Sequence, residues 1–479
     1  MTRRAAILLA FLLPLSAHVG SPDIFFEGDA GPYHLLVTIR PPQVIPGVAE
    51  VEIRSTSAGV KQVRIVPLRL TRARQFAPAP DIATPSPGDP QFFTGSLWLM
   101  ATGSWQVRIT ADGDRGPGEF SVPVPALATR VLGMDKAMAV LLAALGLLLC
   151  AGIVSIAGAS VREAPLAPGE KPDPQRRRRS RMVMAAVALI LACIVYFANR
   201  WWGAEDGAYR LRVFKPLQLD ASIAPGGKLL LKLQDPGWLN RRSDDLLPDH
   251  GHLIHLYVIR QPEMDRVMHL HPERGDADRF VQQLPDMPAG RYSLYGDIVH
   301  ANGLAETAVG QIDIPTLAGQ PLTGDDAEAD APPLSKADYN RIVSALSGGG
   351  RMLWDRGSAP LRARQPYLFR FRVEDPGGQP VQDMQLYMGM LGHAAFIRRD
   401  GSVFAHVHPS GSVPMPALQL TQPDNPHAAH NMMNMNSQAL PAAVSFPYGF
   451  PKPGMYRIFV QVKHGGRIET GVFDALVEN

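Results

Sequence analysis

The sequence predicts a mainly β protein built from three immunoglobulin-like sandwich modules plus two transmembrane helices. Three observations carry this. Short segments that alternate apolar and polar residues, or are rich in β-branched ones, recur along the chain between proline and glycine, each present 44 times. Two apolar stretches are long enough to cross a bilayer, which takes about 20 residues. One ordered set of residues is written twice in the C-terminal half, as expected of a duplicated module.

Taken in order, Arg3-Arg4, the apolar stretch 5–15 and Ser16-Ala17 read as a secretory signal peptide over 1–17. Cleavage there would leave His18 first, with an amine and an imidazole that can chelate Cu(II). Residues 18–130 form the first sandwich, with strands expected at 34–39, 49–53, 63–68, 104–109 and 119–124. It lacks any His-x-His, and it keeps Gly103-Ser104-Trp105 where the later modules have a Gly-x-Tyr. His34 reads as a half-exposed strand residue.

The spanning segments are expected at 137–159 and 182–200, the second anchored by Tyr196, Trp201 and Trp202. The loop 160–181 carries Arg176-Arg177-Arg178-Arg179 and Arg181 and stays cytoplasmic by the positive-inside rule. Both flanking regions then lie outside, in agreement with the export signal, which places the protein in a bacterial inner membrane with periplasmic domains. The only cysteines, Cys150 and Cys193, fall one in each span, so the exported parts offer no thiolate ligand. A net charge of +3, largely from the arginine run, argues against nucleic-acid binding.

Modules two and three cover 207–315 and 350–479. Between them lies the linker 316–349, with an acidic stretch at 324–333 and an expected helix at 335–346 ended by Ser347 and Gly348-Gly349-Gly350. The second module runs Asp235-Pro236-Gly237, His255, His269-Leu270-His271-Pro272, Gly290-Arg291-Tyr292, His300. The third runs Asp375-Pro376-Gly377, His393, His406-Val407-His408-Pro409, Gly454-Met455-Tyr456, His464. The offset is 138 at His255/His393, 137 at the His-x-His-Pro and 164 at the last histidine. Eight of the 14 histidines occupy these matched positions.

In a strand, residues i and i+2 share a face, so His269 with His271, and His406 with His408, project together. His255 and His393 should begin the neighbouring strands. A lone strand histidine is ordinarily a hydrogen-bonded polar residue; recurrence of four positions in two copies points instead to ligands. The expected ligands are therefore His255, His269, His271 and His300 in one site and His393, His406, His408 and His464 in another. Neutral imidazoles suit Cu(II) or Zn(II), with copper favoured on intrinsic affinity. The larger last offset marks a 27-residue insertion in the third module. It holds His427, His430, Met432, Met433 and Met435, and thioethers select Cu(I). Met388 and Met390 stand just before His393. His250 and His252 are secondary ligands at best.

The order Asp-Pro-Gly, His, His-x-His-Pro, Gly-x-Tyr resembles the YtkA-like and FixH-like bacterial periplasmic sandwich domains, similar in style to the CopC-like copper carriers. The third module is the clearest match, in Leu391-Gly392-His393-Ala394 and Phe404-Ala405-His406-Val407-His408-Pro409. The resemblance implies an exported immunoglobulin-like sandwich connected with copper or respiratory-oxidase assembly.

The expected function is a non-enzymatic inner-membrane protein whose periplasmic sandwiches bind copper and pass or store it, with zinc as second candidate. The partners implied are the membrane, a metal ion and a periplasmic or membrane protein. Gly-x-Ser-x-Gly, His-Glu-x-x-His and P-loop motifs are missing from the sequence. The alternative is a metal-independent, membrane-tethered assembly scaffold for a respiratory or transport complex.

Overall fold

The computed structural model describes residues 23–70, 77–164, 166–239, 241–276, 279–334, 339, 341–421 and 439–479. Residues Ala128–Phe214 form one compact unit; the chain before and after them, to Leu127 and from Lys215, forms the other.

The smaller unit is an antiparallel pair of helices, Lys136–Glu163 and Pro174–Arg212, both long and apolar enough to cross a membrane. Asp135 and Asp173 cap them by accepting from the backbone N–H groups of Met138 (3.0 Å) and Arg176 (2.6 Å). The helices touch at Gly158, whose carbonyl accepts from the Ser180 hydroxyl at 2.7 Å and whose missing side chain leaves room for Met184. The arginine run, expected in a loop, forms the opening turns of the second helix behind Pro174. That helix has 39 residues, about 58 Å at 1.5 Å per residue, so it outlasts a bilayer core. Leu147, Leu148, Ile156, Leu189 and Phe197 are exposed apolar side chains on these helices. Cys150 and Cys193 are free thiols.

The larger unit is β throughout, apart from one short helix, Met415–Thr421, among its described residues. The first module is a single eight-stranded sheet folded over so that its first strand, Ile24–Ala30, packs against its last, Gly118–Ala126. The second is one ten-stranded sheet; the third pairs a four-stranded with a six-stranded sheet. Each module contains one 11-residue strand that opens on glycine: Gly103–Gly113, Gly290–His300 and Gly454–His464. The third residue of each is aromatic and donates to the carbonyl four residues back, Trp105 to Ala101, Tyr292 to Pro288 and Tyr456 to Lys452, all at 2.8 Å. This corner, which recurs in immunoglobulin-like sandwiches, marks the three modules as copies of one design.

Two expectations fail in the linker. Ala327–Asp330 is a strand added to the edge of the second module, pairing with Arg266–Leu270. Its acidic residues meet Arg266, Glu328 at 2.5 Å and Asp330 at 2.6 Å. The helix expected at 335–346 is replaced, over its described part, by Val343–Ala345, which pairs with Arg351–Trp354. The glycine run closes a hairpin there: Leu346 N–H donates to Gly350 O, and Gly349 takes a positive φ of 87°. Available sheet edges outweighed local helix preference.

Modules two and three meet face to face. Strand alternation sends Leu256, Val258, Met268 and Leu270 into the second module's own core, and Ala394, Phe396, Ala405 and Val407 into the third's. The opposite faces make a shared core of Tyr257, Ile259, Val267 and Tyr295 against Ala395, Ile397, Phe404 and Phe459. Tyr295 and Phe404 stack across the interface with centroids 4.5 Å apart. The same face of each copy is used, as in an isologous dimer.

Candidate metal centre

The histidines sit at one end of this shared face because they continue its alternation. His255 precedes Tyr257 and Ile259; His393 precedes Ala395 and Ile397; His269 and His271 follow Val267; His406 and His408 follow Phe404. His255 and His393 begin strands paired with those carrying the His-x-His, as expected. The structure then departs from the sequence reading. It builds one centre shared between the modules where two separate sites were expected.

At the middle lie four rings, His255 and His269 from one module and His393 and His406 from the other. All six pairs of ring centroids fall between 5.2 and 6.4 Å. His255 Nδ1 lies 3.2 Å from His269 Nε2, and His393 Nδ1 lies 3.1 Å from His406 Nε2. The other nitrogen of each ring faces outward to an oxygen. His255 Nε2 donates to Asp249 O (3.0 Å), His393 Nε2 to Tyr387 O (3.2 Å) and His269 Nδ1 to Gln461 Oε1 (2.8 Å); His406 Nδ1 faces Asp297 Oδ2 at 3.4 Å. The last two partners are swapped between modules.

A neutral imidazole has one N–H. With the outward nitrogens of His255 and His269 holding it against Asp249 O and Gln461 Oε1, their inward nitrogens present lone pairs to each other, an arrangement a cation would relieve. Two nitrogens on one tetrahedral ion with bonds of about 2.0 Å stand about 3.3 Å apart, close to the spacing here. Outward donation to a carboxylate or carbonyl is also the arrangement that fixes metal-ligating histidines. The residues fit a d-block cation.

Around this tetrad lie four more rings. His271 Nδ1 contacts Asp326 Oδ1 at 3.0 Å, His252 Nε2 contacts Asp325 Oδ2 at 3.3 Å, and their rings stack at 4.0 Å. On the other side His250 and His408 lie 5.0 Å apart, and His408 is 4.7 Å from His406. The inward Nε2 atoms of His250, His271 and His408 are buried without a hydrogen-bond partner. Burial, reinforced by neighbouring imidazoles, holds His255, His269, His393 and His406 well below the usual histidine range. It pushes His250 down to about 3 and His408 to about 4. These rings are neutral at pH 7, the protonation state that binds metal. Burial raises the carboxyls of Asp249 and Asp297 to about 7.

Of the expected ligands, His255, His269, His271, His393, His406 and His408 come together; His300 and His464 do not. Each stands three positions beyond the interface residue of its strand, Asp297 or Gln461, and an odd step points to the opposite face. There His300 is held by Asp245 (2.8 Å) and Glu306 (2.7 Å), with Arg241 on Glu306 at 2.6 Å. His464 lies 3.6 Å from Asp383. His427, His430, Met432, Met433, Met435 and His18 lie outside the described residues. His34 is half-exposed and bonded to Glu27 and Asp29.

His250 and His252, read as secondary, both join the cluster, His250 within a candidate ligand group. Their turn, closed by paired backbone bonds between Asp249 and His252, has positive φ at His250 (52°) and Gly251 (91°). The third module has the same turn from Tyr387 to Met390, with Met388 at 50° and Gly389 at 79°. The 138-residue offset, carried five residues back from His255/His393, would have matched His250-Gly251-His252 with Met388-Gly389-Met390. Asp249, Asp297, Asp325, Asp326 and Gln461 carried no signal, since interface and linker placed them.

Residues 348–479 match the family model described as a domain of unknown function, DUF8832, over little more than a quarter of the chain. Nothing among the curated proteins matches. Among solved structures, similarity is found to a tetra-tandem repeat in the extending region of a large adhesion protein (8% identity, 95% of this chain and 82% of that one, TM-score 0.16). Others are the native conformation of Escherichia coli alpha-2-macroglobulin (9%, 96% and 23%, 0.19) and a putative membrane anchored protein from Corynebacterium diphtheriae (10%, 95% and 96%, 0.15). At these TM-scores the overlays carry no argument about this chain. The fold and the centre rest on its own residues: a mainly β chain with immunoglobulin-like modules and two helices able to cross a membrane.

Proposed function

We propose that this is a bacterial inner-membrane protein whose periplasmic sandwiches hold copper in a histidine centre between the second and third modules. One observation carries the reading: imidazoles from two modules bring ring nitrogens together in two overlapping triads, His255 with His269 and His406, and His393 with His406 and His408, each within 4.8 Å. An all-imidazole set suits copper, with zinc the competing ion. The likeness of the repeat to YtkA-like sandwich domains supports the same metal, and the arginine-rich opening of the second helix supports a periplasmic placement of the modules.

The role is binding rather than catalysis. His255, His269 and His393 are each at most 2% exposed and the His406 side chain 4%, so a substrate has little approach to an ion among them, whereas an ion held there exchanges slowly. That suits storage, or release to a periplasmic or membrane partner through opening of the interface. The sequence-expected soft ligands His427, His430, Met432, Met433 and Met435 lie outside the described residues.

Metal analysis of the full chain in detergent, loaded with Cu(I) or Zn(II) and freed of excess, tests this. Wild type should retain copper, and His269→Ala combined with His406→Ala should lose at least one equivalent. His464→Ala, outside the centre, should lose none. A double variant with wild-type copper, or a wild type with none, overturns the reading and leaves the assembly scaffold.

A further inference from the structure

Beside the tetrad, three ligand atoms of a different kind converge. Asp249, His250 and His408 each offer one atom, and these all lie within 4.8 Å of one another. Asp249 Oδ1, His250 Nε2 and His408 Nε2 are all buried, and none has a hydrogen-bond partner. Three unsatisfied polar atoms in one enclosed place are unusual, because each loses its hydration without replacement. His250 Nε2 and Asp249 Oδ1 are 3.5 Å apart.

The chain takes trouble to bring them there. Adjacent strand residues point to opposite faces, yet Asp249 and His250 point to the same place because His250 adopts the left-handed conformation at the turn. Met388 has the same conformation in the third module, so the turn belongs to the module; the second copy adds the carboxylate and the imidazole. His408 is oriented by its own loop, Nδ1 facing Val413 O at 3.4 Å and its backbone bonded both ways to Gly411. That leaves Nε2 aimed across the interface at His250.

We infer that Asp249, His250 and His408 form a second cation site, distinct from the tetrad, that takes a borderline divalent ion such as zinc. This rests on the reading of the cluster as a metal centre and deepens it. Two imidazoles and one carboxylate leave a coordination position open, a donor set known for Zn(II). The carboxylate supplies the anionic oxygen that soft Cu(I) does not seek. The all-imidazole tetrad next to it has no such group, so the two sites sort ions by charge and softness. His408, 4.7 Å from His406 by ring centroids, lies between them.

The test loads the full chain in detergent with Cu(I) and Zn(II) together under anaerobic conditions, removes excess and counts both metals. Wild type should hold at least one copper and one zinc. Asp249→Asn should hold one zinc fewer and unchanged copper, the retained copper showing that the centre is folded. His269→Ala should lose copper and keep that zinc. Equal zinc in Asp249→Asn and wild type, or copper without zinc in the wild type, overturns the second site and leaves the copper reading intact. A wild type that takes neither metal overturns both.

Discussion

At the scale of single residues, the centre is decided by which nitrogen of each ring holds the proton. Gln461 keeps its oxygen on His269 because its own amide nitrogen lies 3.4 Å from the Thr470 hydroxyl. Gln461→Ala therefore frees the His269 ring without removing a ligand. Copper affinity should fall about 10–100-fold, the usual cost of losing such a support, with stoichiometry unchanged in a competition titration. The buried imidazoles also set a pH dependence. Seven of them have folded values below the ordinary 6.5, so below about 6.5 the unfolded chain binds more protons than the folded one. Stability then rises with pH through this range and falls on acidification toward about 4. Asp249 and Asp297, raised to about 7, and His34 and His300, raised by their carboxylate partners, act in the opposite sense but are fewer. The metal-free protein should melt at lower temperature at pH 5 than at pH 7; equal melting would contradict the burial of these rings. At this scale the sequence was partly legible. Two-residue alternation told which histidines share a face, but not that three further positions would turn His300 and His464 away.

At the scale of elements, the glycine-opened strands with their aromatic corners are the most constant feature of the three modules. The Tyr456 hydroxyl reaches Lys452 O from a ring that is fully buried. Tyr456→Phe should therefore cost about 1 kcal/mol, read by denaturant unfolding, and leave metal binding intact. Strands such as Gly47–Ser55 and Val60–Arg69 could be read from alternation because one of their faces is buried. Ala327–Asp330 could not: its acidic composition reads as linker until Arg266 and an open edge are known. The hairpin of Val343–Ala345 was hidden for the same reason, since its partner strand lies beyond a glycine run that also ends helices.

At the scale of the whole molecule, the repeat revealed two equivalent halves but not their meeting. Counting histidines per copy suggested one site per module. Placing the same face of each copy against the other merged the two sets, and exchanged supports as well, Gln461 serving His269 and Asp297 facing His406. A metal bound at such a place holds the modules together. Its binding to the native state alone should raise stability by about 2.7 kcal/mol at a free concentration one hundred times Kd. The large unit should accordingly melt higher with copper, and the increment should vanish in His269→Ala. X-ray absorption at the copper edge of the loaded full chain looks at the tetrad most directly. The expected spectrum has a first shell of nitrogen at about 2.0 Å, with the outer-shell scattering of about four imidazole rings. A shell dominated by sulfur, or with fewer than two imidazoles, would contradict a copper ion shared between the two modules.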